Sequence, residues 1–527
     1  MRKVQKWRYG SWFGILALTL AACSSGGGSA PSESPHSTGE GAPEQDRVYD
    51  ISFMGYSYAK FPEPNGAGVQ AIREKFSANI DSQFILNSDF NSKLSVVMAS
   101  GDMPDVVHIS ANDSNYYKWA KQGAFLPLDE YLDQFETFRN VPDSIWDQFR
   151  VDGQIYSIPM YAPTYSFSNV VRQDWLDNLG LEVPTNYQEL LEVAIAFTKD
   201  DPDQNGRDDT YGFAMGENAS PDYAAGAYWS GGWYHKDDEG NYIPGVIGPG
   251  KREVIETLAE AYKHGAVTKD FAVLNWAQAN KEFYSGKAGI FIGTPSGMVE
   301  EYYLGLLEVN PEARLTSIPH FVAPDGSQGR LLNQGYFGLT TLSAELKNDP
   351  DKVLKILEIL DYGRQFIPLE ERNPDNEHFD WLMGGEGVGY DMIDGKAVPK
   401  PGAESIAPIG YMFQREEYRP TAPNDEANQY SKAVYNDPRM QEFISQIEDM
   451  EATYNKTPYA DPSRGIFSEV HAQKGAELSQ YIVGEITKMI SGQRPVEEWD
   501  AMVEEWKARG GADWIREINE GIKERSS

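Results

Sequence analysis

Residues 51–109 read ISFMGYSYAKFPEPNGAGVQAIREKFSANIDSQFILNSDFNSKLSVVMASGDMPDVVHI. Three short stretches have the composition of buried strands: Ile51–Met54, Phe84–Leu86 and Asp105–Ile109. Between them, helical spacing predicts one helix over Val69–Ala78 and a second with Phe90, Leu94, Val97 and Met98 on one face. Because strands that alternate with helices tend to pair side by side, this order predicts a parallel sheet covered by helices.

Beyond this segment the sequence is mostly helical. Helical spacing recurs over Asn186–Thr198, Arg252–His264, Pro350–Tyr362, Met440–Ala452 and Ala472–Ile490. Strands are predicted at Ala288–Ile292 and Gly335–Leu339. The sequence shows no internal repeat and no second linker, so we expect an α/β protein whose lobes are joined by several short crossings.

The single cysteine, Cys23, indicates the location of the protein. An apolar run over Ser11–Ala22 ends in Leu-Ala-Ala-Cys and follows the basic residues Arg2, Lys3, Lys6 and Arg8. This order is typical of a secretory signal, and the run is shorter than the ~20 residues that span a bilayer. With cysteine at the cleavage position it resembles a bacterial lipobox. We predict a signal peptide over 1–22, a diacylglycerol and fatty-acyl anchor on Cys23, and a flexible tether over 23–47, on the outer face of the membrane.

Composition excludes some partners and leaves others open. The net charge of −34 disfavours nucleic acids and anionic lipid surfaces, so we expect no nucleic-acid partner and membrane contact only through the anchor. Aromatic residues make up 12% of the chain, which suits core packing and equally suits stacking on a sugar-like ligand.

Residues 201–209, DPDQNGRDD, are similar to the first part of an EF-hand calcium loop. Oxygen-bearing side chains fall at alternating positions, Gly206 allows the sharp turn, and the backbone carbonyl of Arg207 is a further donor. Gly212 stands where an EF-hand has its bidentate glutamate. The pattern predicts one structural Ca²⁺ site at Asp201, Asp203, Asn205, Arg207 and Asp209. The alternative is an Asx-rich turn without metal.

Enzyme signatures are poor. The sequence contains no HExxH, GxSxG or P-loop pattern, and Gly385–Gly389 lacks the spacing of a dinucleotide-binding loop. A pair of carboxylates for glycoside hydrolysis has little specificity among 80 acidic residues. Aromatic rings cluster beside glycine or proline at 156–165, 223–234 and 333–336, where either a ligand surface or core packing explains them.

A series of short motifs identifies the chain more specifically. After the lipobox come GDMPDV at 101–106, GAFLPLD at 123–129, GQIYSIP at 153–159, VRQDWLD at 171–177, Phe197-Thr198 with the 201–212 loop, and FYSGKAG at 283–289. As a series they resemble the family 1 extracellular solute-binding proteins of carbohydrate ABC transporters, in the long lipoprotein form of Gram-positive bacteria. The resemblance extends from about Tyr49 to Leu360; the remainder matches only in helical character.

The resemblance implies a type II periplasmic-binding-protein-like fold with two hinged α/β lobes. We expect an N-terminal lobe over 48–163 and 335–375 and a C-terminal lobe over 164–334 and 376–527. The implied function is that of a monomeric, non-enzymatic receptor that captures a sugar between the lobes and delivers it to the transporter permease. Its cleft residues are expected at Tyr161, Glu217, Trp229, Trp233 and Tyr336. Two alternatives remain open: a surface glycosidase or lyase, and a receptor for a peptide or another non-sugar solute.

Overall fold

The protein is described by a computed structural model that covers residues 47–57, 61–110, 113–161, 168–216, 224–293, 300–329, 331, 334–411, 437–454 and 459–526. Residues 48–527 form one compact unit. The predicted signal peptide, the Cys23 anchor and the tether up to residue 46 lie outside the described residues. No helix within the described ranges is long and apolar enough to cross a membrane.

The N-terminal third builds the first sheet and its helices. Its elements are β1 (Tyr49–Ser57), α1 (Ala67–Phe76), β2 (Ala78–Leu86), α2 (Asn87–Ser100), β3 (Val106–Ile109), α3 (Ser114–Lys121), α4 (Asp129–Leu132), α5 (Glu136–Arg139), α6 (Asp143–Trp146), β4 (Arg150–Val151), β5 (Gln154–Ile155) and β6 (Ser157–Tyr161). Strand β1 lies parallel to β2 and β3, as the strand–helix alternation predicts. The strand predicted at Phe84–Leu86 begins earlier, at Ala78, because Ala78 pairs with Tyr49 at the start of β1.

The middle of the chain builds a second sheet. Its elements are β7 (Ser168–Arg172), α7 (Gln173–Leu179), α8 (Tyr187–Lys199), β8 (Tyr211–Phe213), β9 (Tyr234–Lys236), β10 (Tyr242–Pro244), α9 (Pro249–Lys263), α10 (Trp276–Tyr284), β11 (Ala288–Gly293), α11 (Glu300–Val309) and β12 (Leu315–Ile318). The strand order is β12-β7-β11-β8.

The chain then returns to the first sheet and ends in helices. These elements are β13 (Tyr336–Leu342), α12 (Pro350–Gly363), α13 (Glu377–Leu382), β14 (Tyr390–Ile393), β15 (Lys396–Pro399), α14 (Ala403–Ile406), α15 (Pro438–Tyr454), α16 (Glu469–Ile490), α17 (Trp499–Trp506) and α18 (Ala512–Ser526). Strand β13 lies antiparallel between β3 and β6, which gives the first sheet the order β2-β1-β3-β13-β6. The helices predicted from spacing are confirmed within a few residues.

Each sheet has its own hydrophobic core. The first core packs on the first sheet and includes Phe53, Tyr117 and Tyr336. The second core packs on one face of the second sheet around Val171 and Trp175, and Val170, the neighbouring residue of β7, enters a cluster on the opposite face. The chain therefore passes from the first core to the second sheet after β6, returns to the first core before β13, and passes again to the second sheet between Tyr411 and α15.

The C-terminal part is divided between the cores. Phe379, Leu382, Tyr390 and Tyr411 belong to the first core, although the sequence assigns 376–527 to the C-terminal lobe. Residues of α16 and α17, such as Ile486 and Trp506, do pack in the second core. The buried face of α12 is part of the first core. The segment over 377–411, which follows α12, packs on the same core. The remaining lobe boundaries stay a prediction.

Acidic residues of the family-like motifs fix the backbone at the sheet ends. Asp105 accepts hydrogen bonds from the backbone and hydroxyl of Ser52 at 2.7 and 2.8 Å and from Lys352 Nζ at 2.8 Å. Asp129 accepts the backbone N–H of Ile155 at 2.9 Å. These contacts join segments far apart in sequence, so the motif carboxylates have structural roles.

A buried ion pair fixes the start of α7 in the same way. Arg172 is fully buried and donates to both oxygens of Asp174, at 2.9 and 2.6 Å. Its guanidinium lies 4.6 Å from the ring centroid of Trp175, and Asp174 also accepts the backbone N–H of Arg314. The pair thereby connects β7, α7 and β12.

Candidate ligand-binding cavity

A cavity of about 410 Å³ lies between the first and second cores. Tyr117 and Tyr336 of the first core line one side, and Trp514, which packs against the second core, lines another. The loop before β9 and the segment over 461–468 complete the lining. Because residues just before β13 and just before α16 line it together with residues of both cores, the cavity lies where movement of one lobe against the other would change its shape.

The N-terminal end of α3 forms the wall nearest the first sheet. This end follows β3, so it lies at the carboxyl end of a parallel strand, where α/β proteins commonly bind ligands. Asp113 caps the helix by accepting the backbone N–H groups of Asn115 and Tyr116 at 2.9 and 3.1 Å. Ser114 is buried and its Oγ lies 3.0 Å from Nδ1 of His471 on α16. A side-chain hydrogen bond therefore links α3 to the C-terminal helices across the cavity.

His471 is held between two elements. Its ring stacks on Trp514 with centroids 4.7 Å apart and an angle of 30° between the planes. Burial lowers the pKa of His471, and the negative charge of Asp113 opposes this shift. The side chain of Ser468 caps α16 by accepting the backbone N–H of His471 at 3.0 Å. The imidazole is thus oriented and kept uncharged near neutral pH.

The turn over 461–465 carries two charged groups of the cavity, Asp461 and Arg464. The backbone N–H and the hydroxyl of Ser463 donate to Asp461 Oδ1 at 2.8 and 2.7 Å, and Gly465 has a φ of 73°. Burial raises the pKa of Asp461 and lowers the pKa of Arg464, while the attraction between the two charges opposes both shifts. The turn therefore presents the Asp461 carboxylate, a hydrogen-bond acceptor, beside the Arg464 guanidinium, a planar donor.

Tyr336 and Tyr161, both predicted to contact ligand, are neighbours in the first sheet. They pair in register between β13 and β6, and Tyr336 lines the cavity. The Tyr336 hydroxyl donates to Gln334, its ring meets Phe149 edge-on at 4.7 Å, and burial raises its pKa. Tyr161 is 3% exposed within the first core and is not among the residues that line the cavity.

The two tryptophans predicted for the site have different surroundings. Trp229 is 3% exposed, packs edge-on against Tyr187 and donates from its indole N–H to Glu253 at 2.6 Å. These contacts place the Trp229 ring in the second core, and its contact with a ligand stays a prediction. Trp233 is partly exposed between the cavity-lining residues Gly232 and Tyr234. Glu217 lies outside the described residues.

Several cavity residues were missed from sequence. They are Asp113, Ser114, Tyr117, Asp461, Arg464, His471 and Trp514. The position of Asp113 and Ser114 just after β3 was an available signal, because parallel strands present their carboxyl ends to ligands. Asp461 and Arg464 lie in a turn and the others lie in helices, and neither the turn nor the helical spacing carries information about the site.

The predicted calcium loop forms a tight turn with its acidic side chains close together. Asp201 accepts the backbone N–H groups of Asn205 and Gly206 at 3.1 and 2.9 Å. The side-chain amide of Asn205 donates to Asp203 Oδ2 at 2.8 Å and to Asp209 Oδ1 at 3.0 Å. Burial and the neighbouring carboxylates raise the pKa of Asp203. The positively polarised N–H groups of the Asn205 side chain thus lie between the carboxylates of Asp203 and Asp209.

The twelfth position of this loop is closed to a ligand for a steric reason. A Cβ on Gly212 would lie 2.6 Å from Cβ of Ala194, because β8 packs directly on α8. Thr210 instead donates its hydroxyl to the carbonyl of Phe197 at 2.8 Å. Among the described residues, no group of three or more His, Cys, Asp or Glu side chains is arranged to hold a metal ion. The side chains of Asp201, Asp203, Asn205 and Asp209 are oxygen donors of the kind that Ca²⁺ prefers, and they lie together in this turn.

Comparison with known proteins identifies the family. A family model described as bacterial extracellular solute-binding protein matches residues 63–330. The chain belongs to this family. The resemblance inferred from the motifs is thereby confirmed, and members of this family are binding proteins.

Individual relatives extend the match beyond residue 330. Lipoprotein LipO of Bacillus subtilis is 24% identical over 473 residues, which cover 87% of this chain and 89% of the relative. Polygalacturonan/rhamnogalacturonan-binding protein YtcQ of the same organism is 25% identical over 535 residues and covers 98% of this chain and 99% of its own length. The crystal structure of alginate-binding protein AlgQ2 without calcium ion superposes with a TM-score of 0.66 at 21% identity, covering 91% of this chain and 99% of AlgQ2. The two-lobed type II α/β fold is thereby confirmed.

Proposed function

We propose that this protein is an extracellular receptor that captures a saccharide in the cavity between the two cores and delivers it to an ABC transporter permease. The observation that carries the proposal is that residues packed with both cores line one cavity of about 410 Å³. The names of YtcQ and AlgQ2, which describe polysaccharide-binding proteins, support a saccharide as the ligand.

The lining groups suit a hydroxyl-rich ligand. Sugar hydroxyls both donate and accept hydrogen bonds, and Asp461, Arg464 and Ser114 offer partners of both kinds. Tyr117, Tyr336 and Trp514 supply rings for the apolar C–H faces of a sugar. Closure of the lobes removes water from these contacts, so an unmatched hydroxyl becomes costly. The ligand then shifts the equilibrium toward a closed form, which we propose the permease recognises.

Delivery requires that the receptor stay near the membrane. We propose that Cys23 carries the acyl anchor and that the monomer works on the outer face of the cell membrane. The lipobox at Cys23 and the name of the relative LipO support this placement. Metabolic labelling with a radioactive fatty acid should label the native chain, and Cys23→Ser should abolish the label and release the protein into the medium. Retention of the label in the variant would exclude Cys23 as the anchor.

A thermal-shift screen tests the receptor function directly. Residues 48–527 would be screened against mono- and oligosaccharides, short peptides and amino acids, and the ligand recovered afterwards. We expect a saccharide-dependent rise in melting temperature and recovery of the saccharide intact. Recovery of cleaved product would indicate a glycosidase or lyase, and a rise only with peptides would indicate a non-sugar receptor.

We also propose that the 201–209 loop binds one structural Ca²⁺ through Asp201, Asp203, Asn205, Asp209 and the backbone carbonyl of Arg207. The arrangement of Asp203 and Asp209 around the Asn205 amide supports this. Calcium should raise the melting temperature above that in chelator, because a ligand that binds only the folded state stabilises it. Asp203→Asn should remove the calcium-dependent rise, whereas Asp513→Asn on α18 should keep it. A rise that survives Asp203→Asn would place the ion elsewhere.

A further inference from the structure

The turn over 461–465 is held from outside the cavity by the last helix. Arg525 of α18 donates from Nη1 to the carbonyl of Arg464 at 2.5 Å and from Nη2 to the carbonyl of Pro462 at 2.6 Å. Because a guanidinium is planar and rigid, two such bonds fix both the position and the tilt of the turn. The internal bonds from Ser463 fix Asp461 relative to the same turn.

This turn also lies beside the crossing segment, which is the stretch at Leu331 that leads from the second sheet into β13. Leu331, which precedes β13, forms a bridge with Tyr459, and Tyr459 contacts the ring of Trp233 edge-on at 5.5 Å. The turn is therefore positioned from α18 on one side and from the crossing segment on the other. Movement of the lobes would displace Asp461 and Arg464 together.

Resting on the proposed function, we infer that the turn over 461–465 determines which saccharide binds, through Asp461 and Arg464, and that Arg525 is its positioning residue. The part of the ligand that this turn recognises is a pair of adjacent, uncharged hydroxyls. One hydroxyl donates to the Asp461 carboxylate, and the other accepts from the Arg464 guanidinium.

Charge favours hydroxyls over a carboxylate at this wall. Asp461 lies beside Arg464, and Asp113 adds a second carboxylate to the lining. His471 is kept uncharged, so among the described lining residues Arg464 is the group that carries positive charge. A ligand carboxylate would meet Asp461 at short range, where like charges repel strongly in a partly dry site. A uronate ring at this position is therefore disfavoured relative to a neutral ring.

Titration calorimetry on residues 48–527 tests the inference with neutral oligosaccharides of two to four rings and galacturonate oligomers of the same lengths. Wild type should bind a neutral oligosaccharide more tightly than the matching galacturonate oligomer. Asp461→Asn and Arg464→Gln should each weaken neutral binding at least tenfold, because each leaves a ligand hydroxyl without its charged partner. If wild type instead binds the galacturonate oligomer at least as tightly as the matching neutral oligosaccharide, the wall accepts a carboxylate and the inference is wrong.

The role of Arg525 is tested against an arginine of the same helix. Arg525→Ala should weaken binding about tenfold, whereas Arg516→Ala, which removes an exposed pair with Asp513, should leave it unchanged. Because Arg525 acts through the turn, Arg525→Ala on the Asp461→Asn background should add clearly less than the tenfold loss that it causes in the wild-type protein. Arg525→Lys should restore part of the affinity. Additive losses in the double variant would show that Arg525 acts by general stabilisation alone.

The outcome for wild type separates the two proposals. If wild type binds no saccharide of any kind, the proposed function fails and the inference fails with it. If wild type binds a saccharide but Asp461→Asn, Arg464→Gln and Arg525→Ala bind it equally well, the receptor function stands and the inference is overturned.

Discussion

Residues 49–330 and residues 331–526 contribute to this protein in different ways. The first part contains the motifs that identify the family, and Asp105, Asp129 and Asp174 of those motifs fix the backbone. The second part supplies Tyr336, the 461–465 turn, His471 and Trp514 to the cavity. The family model ends at residue 330, before these residues. The first part thus carries the match to the family model, and the second part supplies the cavity wall to which we assign the selection of ligand.

The largest expected effect is on stability and comes from a motif carboxylate in residues 49–330. Asp174→Ala would leave the Arg172 guanidinium buried without its carboxylate. Removing one member of a buried ion pair typically costs about 3–5 kcal/mol, so the free energy of unfolding should fall by about that amount. Urea denaturation would measure it. Asp513→Ala, at an exposed pair on α18, should change the same quantity little. Equal effects of the two variants would contradict the structural role of the motif.

A second test uses the buried tryptophan of the first part. Trp229→Ala removes a core ring and its hydrogen bond to Glu253, and it should lower the free energy of unfolding by about 3–5 kcal/mol. Thermal denaturation would measure the loss. A variant as stable as wild type would contradict the role of Trp229 in the second core.

Trp233→Ala should show the opposite pattern. Trp233 is partly exposed beside the cavity, so its removal should leave the melting temperature nearly unchanged and weaken saccharide binding at least tenfold, or ~1.4 kcal/mol. Calorimetry with the saccharide found in the thermal-shift screen would measure the affinity. Unchanged affinity would remove Trp233 from the site and sharpen the assignment of binding to the second part.

The smallest expected effect is a pH dependence at His471. Its pKa is lowered from 6.5 in the folded protein, so the unfolded chain binds a proton first as the pH falls below about 6.5. The contribution of His471 to the free energy of unfolding should be complete above this pH. Below it, the free energy of unfolding should decrease by at most ~1.4 kcal/mol per pH unit for one proton. Burial also lowers the pKa values of His235 and His378, so these residues add to the slope.

His471→Gln isolates the contribution of the cavity. Glutamine keeps a hydrogen-bonding group near Ser114 but does not titrate, so the curve of unfolding free energy against pH should be flatter below pH 6.5. The negative charge of Asp113, which caps α3, stabilises the charged imidazole, so Asp113→Asn should lower the pKa of His471 further and make the slope steeper. A slope unchanged by His471→Gln would show that His471 titrates alike in the folded and unfolded chains.

The fold could be predicted because its signals are local. The alternation of strands and helices over residues 51–109 gives the parallel part of the first sheet, and the motif series gives the two-lobed arrangement. The packing of Phe379 and Tyr411 on the first core could not be predicted, because it depends on contacts across hundreds of residues rather than on local spacing.

The site could be predicted only in part, for a related reason. Tyr336 was expected and lines the cavity, whereas Trp229, expected for the same reason, is a core residue. A ring beside glycines has the same sequence pattern in both places. Asp461 and His471 gave no signal, since the contacts that orient them, to Ser463 and Ser114, follow from tertiary structure.

Amide hydrogen exchange with and without the saccharide identified by thermal shift tests the central claim most directly. If the ligand lies between the cores, exchange should slow together at 113–117, at 334–336 and at 461–471, with little change at the motif carboxylates Asp105, Asp129 and Asp174. Protection confined to residues before 330, with exchange at 461–471 unchanged, would contradict the claim that the second part of the chain selects the ligand.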